Sequence, residues 1–204
     1  MTDRPRRSKA APYHHGDLAN ALVAAGVTMV EEGGGDATGL RDLARRTKVS
    51  AAAVYRHFAN KDALLAAVAA EGFAMLNADF RAALETAPPS PAARLTAVGQ
   101  AYIAFALARP GLYRLMFGAN RPSAAADSRF AEEAKRARAT LTALVAGCCE
   151  PGASPEAVAA GTVSAWSLVH GYVQLTMEGH FDASGARPDP VAVLAGLRLS
   201  PSSV

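Results

Sequence analysis

Apolar residues recur at spacings of three and four along most of the chain, and nowhere does the alternation of a half-buried strand persist. Residues 16–32, GDLANALVAAGVTMVEE, place Leu18, Leu22, Ala25, Met29 and Val30 on one face. That pattern predicts a helix, with Asp17 in its first turn and Gly33-Gly34-Gly35 as its stop. A short helix over 40–47 turns Leu40, Leu43 and Ala44 inward, with Thr38 as its expected N-cap. Val49-Ser50 reads as a tight turn, and Ser50 can cap a third helix that buries Val54 and Phe58 and turns Tyr55 and Arg56 outward. Asn60 caps a long fourth helix reaching about residue 84, apolar at Leu64, Leu65, Val68, Phe73, Leu76 and Phe80. After the break TAPPSP at 86–91, helices are expected at 92–108, from Pro110 through Phe117, and at 127–149, 156–179 and 191–199. The loops between them are ANRPSAA, EPGASP and DASGARPDP. The fold class is all-α with about nine helices, and no internal repeat is visible.

Composition supports this reading. Half of the 204 residues are hydrophobic and 19% are charged, so a sizeable core is available and global disorder is excluded. Charge is uneven: residues 1–61 carry ten Lys and Arg against six acids, and the remainder eleven against twelve. A basic third on a near-neutral body suggests a polyanion-binding module joined to something else. Cys148 and Cys149 are adjacent, which makes no disulfide framework; a reducing cytoplasm and two small buried residues are expected. No apolar stretch follows the basic N-terminus as a secretory signal would require. The uncharged run between Glu156 and Glu178 has the length of a membrane span. Its Thr162, Ser164, Ser167, His170, Gln174 and Thr176 point instead to a helix buried in a core or subunit interface, with no membrane partner.

Two short helices joined by a tight turn and packed on a longer first helix describe a helix-turn-helix, a rigid module that presents one helix to the major groove. Val49, Val54 and Phe58 lock the pair together. Lys61, at the first position of the fourth helix, opposes the helix dipole by about 0.3–1 kcal/mol; a DNA phosphate at that terminus would reverse the sign. Arg41 follows the same logic. His57 can touch a phosphate or pack on the first helix. His14 and His15 read as helix-entry residues, not a metal site. Arg4, Arg6, Arg7 and Lys9, in a flexible arm at 1–12, can reach a minor groove or phosphates, or serve as a solubilising tail.

The stretch TGLRDLARRTKVSAAAVYRHFANKDALLAAV resembles the DNA-binding motif of TetR-family (tetracycline-repressor-like) transcriptional regulators, in its L-R-D-L-A helix, V-S turn, Y-x-H-F ending and N-K-x-x-L-L start. The resemblance extends back through YHHGDLANALVAAG and forward through RPGLYRLMFG and AWSLVHGYVQL. These last segments resemble the subgroup named for a Trp-His-Gly signature, here Trp166, His170 and Gly171. The resemblance implies a homodimer, a DNA-binding domain at 13–60 and a helical effector-binding and dimerisation domain at 61–204, with the last long helices in a four-helix dimer interface. It implies a repressor that binds a palindromic double-stranded operator and is released by a small-molecule effector of unknown identity. Thr38, Tyr55 and Lys61 match phosphate-contacting positions, and Ala51, Ala52, Ala53 and Arg56 match the exposed face of the recognition helix. Three alanines there depart from the family's usual larger or polar residues. Alanine offers only apolar contact, best with a thymine methyl, so base readout falls on Arg56 and Ser50.

In the C-terminal body, Tyr102, Phe105, Tyr113, Met116, Phe117, Trp166, His170 and Gln174 are the expected pocket residues. Core packing, with Trp166 and His170 satisfying one another, is the competing account. No nucleophile-elbow, dinucleotide or P-loop motif occurs, and two residues apart on a helix Glu178 and His180 would not share a face, so neither an enzyme, a cofactor nor a metal is expected. A DNA binder without sequence preference or effector is the other alternative.

Overall fold

A computed structural model describes residues 15–123, 127–181 and 188–196. The arm at 1–12, His14, the side chain of His15, parts of the loops at 119–125 and 182–190, and the end of the helix expected over 191–199 lie outside the described residues. Within them every element is helical: α1 (His15–Ala37), α2 (Leu40–Thr47), α3 (Ala51–Tyr55), α4 (Lys61–Thr86), α5 (Pro91–Ala108), α6 (Pro110–Phe117), α7 (Ser128–Cys148), α8 (Pro155–Met177) and α9 (Pro190–Ala195).

Local chemistry fixes most of the helix starts. The side chains of Ser50, Asn60, Ser90 and Ser154 each accept from the backbone N–H three residues on, at 3.1, 2.8, 3.3 and 3.2 Å. Pro91, Pro110, Pro155 and Pro190 occupy first positions, where a missing N–H costs nothing. Three expectations need correction. α1 runs past the glycines, with a break at Gly34 (φ 75°, ψ 171°), a conformation open to glycine, before a last turn to Ala37. The N-cap of α2 is Gly39, without a side-chain bond; Thr38 is fully buried and its hydroxyl donates to the Gly34 carbonyl at 3.0 Å. α3 is only five residues long, although Phe58 beyond it is buried as expected.

α4 is the spine. Residues 64–70 are all buried, and the helix packs against α1, α5, α6 and α7. Its one buried amide is satisfied: Asn77 Nδ2 donates to the Glu133 carbonyl at 3.0 Å and to Glu133 Oε2 at 2.8 Å, tying α4 to α7. Among the described residues α4, not α8, is the helix long and apolar enough to cross a membrane, and 67% of its most apolar stretch is covered by the rest of the chain.

α1 and α6 come closest at Gly111. Glu31 on α1 accepts from the backbone N–H groups of Leu112 and Gly111 at 2.7 and 3.1 Å, so its carboxylate sits on the N-terminus of α6. A Cβ on Gly111 would lie 2.5 Å from the Val30 carbonyl oxygen and 2.8 Å from Glu31 Cα. Both are backbone atoms that cannot swing aside. Gly111→Ala should therefore separate α1 from α6 and cost about 1–3 kcal/mol, read as a lower urea midpoint; an unchanged midpoint would mean that the junction is loose.

Candidate DNA interface and ligand cavity

The helix-turn-helix is wedged by side chains that water does not reach. Leu43 and Val54 are wholly buried, and Leu40, Ala44 and Phe58 nearly so. The turn closes through Lys48 in the left-handed conformation (φ 56°), its N–H bonded back to the Ala44 and Arg45 carbonyls, and through Val49 N–H to Ala44 O at 3.1 Å. Arg41, Ser50, Ala51, Ala52, Tyr55 and Arg56 are left exposed. Ala53 is not: it is 8% exposed and faces inward, since three consecutive helical positions span too wide an arc to share one face. His57 is half-buried beside the Phe58 ring. Thr38, buried with its hydroxyl engaged, has no side-chain surface to offer a phosphate.

The basic residues here fall into two groups. Arg45 pairs with Asp42 at 2.8 Å, and Arg46 grips Glu32 with both terminal nitrogens at 2.6 and 2.7 Å, holding that carboxyl below its usual range. Arg41, Lys48 and Arg56 have no ion-pair partner among the described residues. They leave uncompensated positive charge beside the exposed face of α3. Lys48 was missed in the sequence, where a cation ending a helix reads as an ordinary cap.

Lys61 has a partner within the chain. Its Nζ donates to the Asp36 carbonyl at the C-terminal end of α1, at 2.7 Å. The cation at the positive end of α4 thus lies on the negative end of α1, which offsets the unfavourable dipole without a phosphate. Its other two ammonium protons stay available.

A cavity of about 590 Å³ lies in the helical body, walled by α4 to α9. Of the expected pocket residues, Tyr102, Met116, Phe117 and Trp166 line it. Phe105 and Tyr113 are core residues, each 1% exposed, and neither Gln174 nor His170 belongs to the lining. His170 stands behind the wall. The Tyr102 and Tyr113 hydroxyls both lie 2.9 Å from its Nδ1, so the hydrogen-bond partners of His170 are tyrosines, while Trp166 meets its ring edge-on. Burial raises both phenols, Tyr113 to about 12, and lowers the imidazole, keeping all three neutral at physiological pH. The sequence reading missed the walls given by α4 (Phe73, Leu76, Phe80) and α7 (Phe130, Lys135, Arg138, Leu141). The apolar positions of α4 are expected in the sequence as core, and only the fold shows that part of this face borders a cavity.

Cys148 reaches the cavity and is half-buried like Cys149, not buried as expected; burial and its neighbour push its thiol upward. Glu178 and His180 do meet, at 3.2 Å, because α8 ends at Met177 and Gly179 (φ 76°) turns the chain, so helical spacing does not apply to them. Among the described residues no three metal-binding side chains come together.

Two family patterns match the chain: "Bacterial regulatory proteins, tetR family" over residues 22–68 and "Tetracyclin repressor-like, C-terminal domain" over 95–195. The HTH-type transcriptional repressor Rv3405c of Mycobacterium tuberculosis is 39% identical over 69 residues, a match spanning 33% of this chain and 37% of that protein. A solved protein of unknown function from Rhodococcus sp. RHA1 is 33% identical with a TM-score of 0.74, over 91% of this chain and 94% of its own. The transcriptional regulator FadR of Bacillus subtilis, solved in complex with stearoyl-CoA, shares the fold at 14% identity and a TM-score of 0.62, over 85% and 92% of the two chains.

His170 supplies a titration test. Its folded value lies below the ordinary 6.5, so as pH falls through about 6.5 the unfolded chain takes up the proton first and the fold loses stability until the buried ring is protonated too. In urea unfolding, the advantage of the wild type over His170→Asn should shrink from pH 7.5 to 5; a constant difference would show the ring to be no more buried than in the unfolded chain.

Proposed function

The chain belongs to the TetR family of bacterial regulatory proteins, and from that membership we propose a dimeric, effector-released repressor of transcription that binds a palindromic operator. The observation that carries the proposal is the pairing of two sites in one helical body. A helix-turn-helix bears unpaired Arg41, Lys48 and Arg56, and an apolar cavity is walled by the helices that hold this module in place. Arg56 discriminates a base, Ala51 and Ala52 allow a close approach to thymine methyls, and Ser50 adds a hydroxyl at the groove. Tyr55, Arg41, Lys48, Lys61 and the half-buried His57 contact phosphates. The domain boundary falls at residue 60, the N-cap of α4, and the arm at 1–12 adds phosphate or minor-groove contacts. DNA as partner places the protein in the cytoplasm, and no catalysis, cofactor or metal is part of this function. The Trp166, His170 and Gly171 signature supports placement in the subgroup named for it.

The dimer forms through α7 and α8. The uncharged outer face of α8 carries Ala160, Val163, Ser164, Ser167 and Leu175, with Val163 55% and Leu175 44% exposed. Beside it the C-terminal half of α7 exposes Ala139, Ala143, Ala146 and Gly147. Small residues on adjacent helices allow close packing against a second copy in a four-helix arrangement.

Release is a population shift. Two recognition helices must stand about one turn of B-DNA apart, roughly 34–36 Å, to grip a palindrome. An effector that favours a dimer with another spacing lowers DNA affinity by its differential affinity for the two states. α4 carries the change, since its first turn is at Lys61 and its Phe73, Leu76 and Phe80 wall the cavity. The Glu31 clamp gives a second route, from the cavity residues Met116 and Phe117 on α6 to α1. FadR of Bacillus subtilis, bound to stearoyl-CoA in the same fold, supports the cavity as an effector site.

Selection of bound DNA from a random library should return a palindrome; steep salt dependence without any preferred sequence would indicate a nonspecific binder instead. On the selected site, Arg56→Ala should cost about 1–3 kcal/mol and relax one base pair per half-site. Lys61→Ala should weaken all sequences alike and flatten the salt slope by about one, and a salt slope equal to wild type would reduce Lys61 to its bond with Asp36. Val163→Glu should yield monomers in sedimentation and abolish operator binding while preserving helicity; a dimeric variant would move the interface elsewhere.

A further inference from the structure

We propose that the cavity takes an amphiphilic anion, an apolar body carrying a single carboxylate or phosphate-type head, held by Arg121, Lys135 and Arg138. The proposal rests on the cavity being the effector site. Most of its interior, Phe73, Phe80, Phe130, Leu95, Leu141 and Val169 among it, offers no hydrogen bond, and the Tyr102 and Thr162 hydroxyls that also line it are already bonded to His170 and to the Val158 carbonyl, so a ligand with a mainly apolar body fits. Its charged groups are all of one sign. Arg121, from the segment after α6, and Lys135 and Arg138, three residues apart on α7, line it, and among the described residues no Asp or Glu does. All three cations are exposed, which places their heads at the mouth, and none has an ion-pair partner among the described residues. Neighbouring basic groups on the same helix are spoken for: Arg129 pairs with Glu71 at 2.7 Å and Arg136 with Glu133 at 2.8 Å.

Arg138 is also held in place. Its guanidinium carbon lies 5.0 Å from the centre of the Trp166 ring, at the boundary between the apolar interior and the charged rim. Aromatic walls alone would equally suit an organic cation. Three uncompensated positive charges at the entrance, with no carboxylate lining the cavity among the described residues, decide against one, because an ammonium would lose its water and meet repulsion from the rim that ring contacts alone must offset. An anionic head at the mouth keeps part of its hydration and meets cations that stay solvated, so the desolvation penalty is small and the attraction is correspondingly modest.

The chain has one tryptophan, and it lines the cavity, so its emission reports directly on occupancy. Full-length protein is titrated with decanoate, decanol and decyltrimethylammonium, which share one chain and differ in head charge, by Trp166 emission and by calorimetry. Decanoate should bind roughly tenfold or more tighter than decanol, with the ammonium weakest. Lys135→Gln combined with Arg121→Gln should bring decanoate close to decanol while leaving decanol binding unchanged, which also shows that the variant is folded. Equal affinity of decanoate and decanol, or tightest binding of the ammonium, would overturn the proposal and leave the effector reading standing. Failure of all three chains to bind would remove the effector cavity and this proposal with it.

Discussion

The carboxylate of Glu31 on the first amides of α6 is the join on which the working of the molecule depends. The module that presents α3 to DNA is small, and α1 is its only long element. α1 is fastened to the body in three ways: its apolar face packs on α4, Glu31 takes the Gly111 and Leu112 N–H groups, and its Asp36 carbonyl accepts from Lys61 at the start of α4. Packing is roughly proportional to area and tolerates sliding. A carboxylate bonded by two amides fixes distance and angle, and the glycine beneath it lets backbone lie against backbone. A shift of α6 therefore has nowhere to be absorbed before it reaches α1.

That stiffness gives the cavity a means of acting at a distance. Met116 and Phe117 are at once walls of the cavity and the last turns of α6. On α4, Gly72 sits where a Cβ would lie 2.6 Å from Met116 Sδ, so α4 and α6 interlock next to the cavity. From this junction α4 runs back to Lys61, which bonds the Asp36 carbonyl, and α6 starts on the Glu31 carboxylate, so both helices reach α1. A close-packed interior does not deform smoothly, so in the proposed effector response a ligand that moved either helix would move α1 with it. The Tyr102–His170–Tyr113 group stiffens the other wall with neutral hydrogen bonds, which salt does not screen.

Much of the fold was legible because helix starts and stops are local chemistry. Ser50 and Asn60 cap where the sequence places them and Pro110 opens α6, while Pro91, Pro155 and Pro190, expected in the breaks, open α5, α8 and α9 one residue earlier than expected. What could not be read is what tertiary packing decides. Thr38 has the character of an N-cap, yet its hydroxyl turns back to Gly34 because the kink there brings a free carbonyl within reach. The site was legible where exposure follows from helical phase, as at Arg56 and Tyr55, and illegible where two elements distant in sequence meet. Nothing local to Lys135 and Arg138 says that they border a cavity closed by α4 and α8. The bond of Lys61 to Asp36 spans twenty-five residues and belongs to the same class.

Lys61 shows how a structural and a functional role can share one charge. A lysine at the start of a helix is unfavourable in isolation, and the carbonyl of Asp36 removes that cost in the folded chain. The same bond holds the ammonium at the seam between α1 and α4. A long flexible side chain that must find a phosphate loses rotamer freedom on binding; one already tethered has lost it on folding. The tether thus converts a poor helix residue into a pre-positioned cation. In the proposed complex with DNA, positioning of this kind would strengthen contact with any sequence equally and leave discrimination to Arg56, for which no such tether occurs among the described residues.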